Sequence, residues 1–142
     1  VACINNQAAY TGKITVPTIT VSQTADQITP AGYVQKLKNQ YEAAISNGDA
    51  KPGLLLNIWN KPPDSYTEFA ATGAAVTPTV PTTGTSHYMY TNAQILVIAK
   101  LLASAGKSGK LPSVATAKSA LKNDPSMFID SAYKPELMPQ DK

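Results

Sequence analysis

The chain has 142 residues, 43% of them hydrophobic and only 15% charged, so a single domain with one core is expected. All twelve basic side chains are lysine, and there is one cysteine and one histidine. This composition excludes the forked arginine contact used for bidentate phosphate or carboxylate recognition. It also excludes an intrachain disulfide and leaves little from which to build a metal set or a nucleophile–base pair.

Residues 1–28 read as an extended N-terminal arm or a short edge strand. The run from Ile14 to Val21 is rich in β-branched side chains, but Pro17 interrupts its alternation and has no N–H for a central ladder. Val1-Ala2-Cys3 resembles the end of a bacterial lipoprotein leader, in which Cys3 would carry the lipid. Cleavage at such a site would remove Val1 and Ala2, so a free Cys3 thiol is the expected state.

A helical domain is expected over 29–134. Its first helix spans about Pro30–Asn47, with Thr29 as the capping side chain and Gly48 beyond the end. Tyr33, Val34, Leu37, Tyr41, Ala44 and Ile45 recur at helical spacing and form its inner face. Leu54–Trp59 is too short an apolar run for periodicity to separate a buried strand from a helical turn. Ser65-Tyr66-Thr67-Glu68 fits a capping box opening a two-turn helix that stops at Gly73. Residues 74–86 form a Thr/Pro-rich loop with polyproline-like character.

Thr91-Asn92-Ala93-Gln94 is a second capping box, and it opens the most apolar segment of the chain. Ile95-Leu96-Val97-Ile98-Ala99 and Leu101-Leu102-Ala103 place apolar side chains on nearly every side, which predicts a central helix over 91–105 buried around its circumference. A lysine- and glycine-containing link follows. A helix over about Ser113–Asn123 and a short one opened by Asp124-Pro125 complete the expected fold, and the tail over 135–142 is polar and expected to fray. The fold class read from these elements is mainly α, a compact bundle of about four short helices around the central one.

Chemical motifs are sparse. Gly106-Lys107-Ser108 matches the end of a phosphate-binding loop, but that motif needs glycine where Leu101 stands and a strand before it. Ser104–Lys107 and Ser119–Lys122 have the spacing of serine acyl-enzymes, a coincidence expected in a chain this rich in both residues. The carboxylates suggest no catalytic pair, and His87 reads as a loop residue near a helix start. No catalytic residue, cofactor or metal site is assigned.

Two surface features remain. Trp59, Tyr66, Tyr88 and Tyr90 flank Pro-rich or polar segments and are candidate interface or ligand contacts. Residues 1–99 carry five lysines and five acids, so the net charge of +3 originates in the C-terminal third. There Lys100, Lys107, Lys110, Lys118 and Lys122 lie within a stretch, Ala70 to Asn123, that contains no acid. They are a candidate basic surface that attracts anions as point charges.

The function expected is that of a non-catalytic accessory or structural subunit, exported or bound in an assembly and working through contacts with other protein subunits. Low charge points to an extracytoplasmic (periplasmic, lumenal or secreted) setting. No specific nucleic-acid contact and no membrane span are expected, and peripheral membrane contact is compatible with the lysines. The alternative is a small module that binds sugar or another polar ligand through its loop aromatics, and a third reading is a small enzyme of unrecognised type.

Overall fold

A computed structural model describes residues 11–26, 28–62, 65–66, 70–77, 79–81 and 90–141. Its centre is a three-stranded mixed sheet, and this overturns the expected four-helix bundle. Strand β1 (Thr18–Gln23) is followed by helix α1 (Gly32–Ser46) and strand β2 (Leu55–Asn60). The two strands pair in parallel over their full length, from Thr18 opposite Leu55 to Gln23 opposite Asn60. Parallel neighbours need a long crossover, and α1 supplies it, giving a βαβ unit. The order of strands is β1-β2-β5, in which β5 (Met127–Phe128) runs antiparallel to β2 beside Trp59 and Asn60.

Side chains alternate across a strand, so this register assigns them to two layers. Ile19 lies beside Leu56 and Val21 beside Ile58, and this face packs on helices α2 (Asn92–Ser108) and α3 (Val114–Leu121). Leu56, Ile58, Leu101, Ala117, Leu121 and Met127 form the buried cluster, with Val97 and Ile98 against it. The alternate residues Leu55, Asn57 and Trp59 border a cleft shared with Tyr41 and Ile45 of α1. The sheet therefore separates α1 from α2 and α3.

Local chemistry explains the element ends. Thr29 does not cap α1, which begins after Ala31 without a side-chain cap. Its hydroxyl donates to Asp26 Oδ2 at 2.7 Å, while Asp26 Oδ1 accepts from the N–H groups of Ile28 and Thr29. Tyr41, buried in α1, donates its hydroxyl hydrogen to Lys51 O at 2.6 Å and accepts from Leu54 N–H at 2.8 Å, fastening the loop that enters β2. Helix α2 opens with both arms of the Thr91/Gln94 capping box and continues to Ser108, where Gly109 adopts φ 66° and donates to Ala105 O. A side chain would strain that left-handed position.

Two further expected helices are absent. Ser65–Tyr66 form strand β3 and pair with β4 (Val80–Pro81), which is incompatible with a helix starting at Ser65; Thr67 and Glu68 lie outside the described residues. The helix expected after Asp124 is replaced by a turn into β5, because Asp124 Oδ1 accepts from Ser126 N–H and Asp124 O from Met127 N–H. An aspartate that could cap a helix serves an Asx turn with the same side-chain geometry. The tail is packed, not frayed. A Cβ on Gly32 would lie 2.3 Å from Glu136 O, so the tail backbone crosses the start of α1, and Asp141 pairs with Lys36 one turn on.

The expectation for the central helix also fails. Only one side of α2 rests on the sheet, and Leu101 is 5% exposed whereas its neighbour Leu102 is 46% exposed. Leu101→Ala should lower unfolding free energy by about 2–5 kcal/mol, the range for buried leucine truncation. Leu102→Ala should cost less than about 1 kcal/mol, as a surface substitution. Urea denaturation of both variants measures the contrast, which burial on all sides would erase.

Candidate interaction surface

The exposed side of α2 groups three large aliphatic side chains. Ile95 is 53% and Leu96 54% exposed, and with Leu102 they share a face completed by the exposed small residues Ala99, Ala103 and Gly106. Advancing about 100° per residue, a helix brings 95, 99, 102 and 106 onto one line, with 96 and 103 beside it. The buried Gln94, Leu101 and Ala105 follow another line, about 100° round the helix from the first. Sequence reasoning assigned all these aliphatics to the core. The signal that separates them is geometric, since a helix lying on a sheet buries one stripe, and no described element covers the other side of α2.

Gln94 holds this helix in place. Its backbone N–H donates to Thr91 Oγ1 at 3.2 Å and its Oε1 accepts from Thr91 N–H at 2.9 Å. Its side-chain amide donates to Asn60 Oδ1 at 3.2 Å and to Ser126 Oγ at 2.8 Å, and Ser126 Oγ donates onward to Asp124. One buried amide thus joins the start of α2 to the end of β2 and to the turn before β5. Burial pushes the Asp124 carboxyl up and is the strongest single influence on it. The hydrogen bonds from the side chains of Ser126 and Gln94 and from the backbone of Ser126 and Met127 together outweigh burial, and its pKa lies below the usual 3.8.

Of the aromatic candidates, the side chains of Trp59 and Tyr90 are described. Trp59 is 2% exposed, and its ring meets Tyr133 edge-on at 5.0 Å, so it is a packed residue with little face to offer. Phe128 meets the same Tyr133 ring at 5.5 Å, and burial raises the pKa of the Tyr133 hydroxyl. Tyr90 is half-buried just before the Thr91 cap. The backbone of Tyr66 lies in β3, while Tyr88, His87 and Cys3 are outside the described residues. Lys100, Lys107, Lys110, Lys118 and Lys122 are all exposed, and none has an ion-pair partner among the described residues. Lys100 and Lys107 border the apolar face of α2, whereas Lys118 and Lys122 belong to α3 and its C-terminal end.

Two clefts adjoin the sheet. One, about 360 Å³, follows β2 between Tyr41 and Ile45 of α1 and Val114 and Lys118 of α3, with Trp59 in its wall. The other, about 990 Å³ and open, lies past the C-terminal ends of β1 and β2, where Thr24, Lys61, Phe128 and Tyr133 border it. Lys61 Nζ stands 5.6 Å from the centre of the Phe128 ring. Among the described residues no three His, Cys, Asp or Glu side chains gather as a metal set would, and no helix is long and apolar enough to cross a membrane.

These features define a mixed α/β domain built on a βαβ unit, with an apolar helix face that no described element covers. No family model matches the chain, and no similar protein was found among curated proteins or solved structures.

Gln94→Ala removes the side-chain arm of the capping box and the two side-chain bonds to Asn60 and Ser126, and should cost about 2–4 kcal/mol in urea denaturation. Asp124 has a depressed folded-state pKa, so its stabilising contribution is complete above the unfolded-state value and lost as pH falls through the folded one. Urea midpoints measured from about pH 5 downward should fall less steeply for Asp124→Asn than for the native chain.

Proposed function

We propose that this chain is a non-catalytic accessory or structural subunit that binds other protein subunits of a larger assembly in an extracytoplasmic compartment. The observation that carries this reading is the grouping of Ile95, Leu96 and Leu102 on the uncovered face of α2. Single exposed aliphatics are ordinary, but a contiguous apolar face marks a contact surface. The low charged fraction, 15%, supports a protein that spends little charge on independent solubility.

The full chain isolated gently from its source should carry a partner in fixed stoichiometry by light scattering. Leu102→Glu should release that partner while circular dichroism remains native. A chain that runs strictly as a monomer with no partner would sink the reading.

The cleft beside Trp59 favours a second reading, a module for sugar or another small polar ligand, since its volume falls within the roughly 300–1,000 Å³ typical of such sites. Trp59 is the only tryptophan and stands in the wall of this cleft, so its fluorescence is the signal to follow. A saturable spectral shift on titration with a glycan panel would establish ligand binding. The subunit role predicts a flat response.

A further inference from the structure

The backbone groups of β1 face two ways. Thr18 N–H donates to Leu54 O and Thr24 N–H to Asn60 O, so Thr18, Thr20 and Ser22 turn their N–H and C=O groups to β2. Ile19 and Val21 turn theirs outward. No described strand lies on that side, and no described residue bonds to the outward groups of these two. The strand carries no charged side chain to guard its open edge, and only Pro17, just before it, lacks an N–H.

The apolar flank of α2 overhangs the same edge. A groove of about 300 Å³ runs between Val16 and Pro17, which lead into β1, and Leu102, Ala105 and Gly106 of α2. Leu102 shares its line on the helix with Ile95 and Ala99, so that line lies toward β1. Helix α3 stands at the other border of the sheet, beside β5. Hydrogen-bonding groups in extended geometry and an aliphatic flank above them are therefore uncovered at one place.

A single extended peptide would pair with the edge but bring no helix to the flank. A second copy of this chain, turned about a two-fold axis normal to the sheet, brings both. Its β1 arrives antiparallel, and its α2 arrives on the same face. Charge does not oppose the contact. Thr18–Gln23 is uncharged, and Lys100 and Lys107 lie more than about 100° round α2 from the line of Ile95, Ala99, Leu102 and Gly106.

We propose that two copies of this chain associate through β1, so that their sheets become one and their α2 flanks pack together. Ile19 of one copy lies opposite Val21 of the other, with Thr20 on the axis. Pro17 then falls at the end of the ladder, where a missing N–H matters least. The antiparallel arrangement sets Ile95 of one α2 against Leu102 and Gly106 of the other, with the small Ala99 between them. This names the partner at this face for the interaction role proposed above, and rests on that role.

The test uses the full chain, purified alone, with mass followed by light scattering as concentration rises. The mass should reach twice 15.0 kDa. Leu102→Glu should weaken the dimer at least about tenfold while circular dichroism remains native. Oxidation of Cys3→Ser/Thr20→Cys should give a covalent dimer, because non-hydrogen-bonded antiparallel neighbours stand about 4.5 Å apart at Cα, within disulfide reach. Cys3→Ser/Ser119→Cys, altered on the exposed side of α3, should not cross-link. Should Thr20→Cys disturb folding, the exposed Leu102 site still decides the matter.

A mass that stays at 15.0 kDa up to about 100 μM would overturn the proposal. So would a dimer that Leu102→Glu leaves unchanged, or a folded Thr20→Cys variant that cross-links no faster than the Ser119→Cys control. If the purified chain is monomeric yet carries a different protein when isolated gently from its source, the second copy is the wrong partner and the interaction role stands. A chain with neither would remove the role itself.

Discussion

Parallel pairing of β1 with β2 is the constraint from which the rest of the architecture follows. Six residues of each strand are in register, and the connection between them must leave the sheet, travel back over it and re-enter in the same direction. That requirement places α1 on one face. It leaves Ile19, Val21, Leu56 and Ile58 facing the other way, where α2 and α3 cover them. A slip of β1 by one residue would turn Ile19 and Val21 toward α1 and bring polar Thr20 to the core side. Thr20 and Asn57 instead bond to each other on the α1 side, Oγ1 to Oδ1 at 2.7 Å.

Polar contacts then lock what apolar packing positions. Gln94 is buried yet has every side-chain polar group engaged, and its partners belong to α2, β2 and the turn before β5. A network satisfied in this way adds specificity where three elements meet, because no other placement of α2 satisfies the amide. The Trp59–Tyr133–Phe128 group plays the corresponding apolar part near the end of β2, tying the chain after β5 back to the sheet.

Among the described residues the same geometry leaves α2 with an uncovered side. A sheet of three strands, one only two residues long, supports two helices on that face, and no described element shields their outer surfaces. An apolar outer surface on such a helix is costly in water, and a partner is the physical means of removing the cost. The proposed interaction role therefore rests on a single element, α2.

Local signals were legible in the amino-acid order where their chemistry is local. The Thr91/Gln94 box, the Gly48 end, and α1 and α3 to within about two residues all depend on contacts a few positions apart, whereas α2 runs to Ser108, past its expected end. The lysine excess of the C-terminal third is likewise a property of composition. What the order could not show was the pairing of Thr18–Gln23 with Leu55–Asn60 across 37 positions, so a short apolar run and an apparent arm did not declare themselves a sheet. The distinction between Leu101 and Leu102 is of the same kind. Both are leucines on one apolar helix, and only the position of the sheet beneath α2 decides which is core and which is surface.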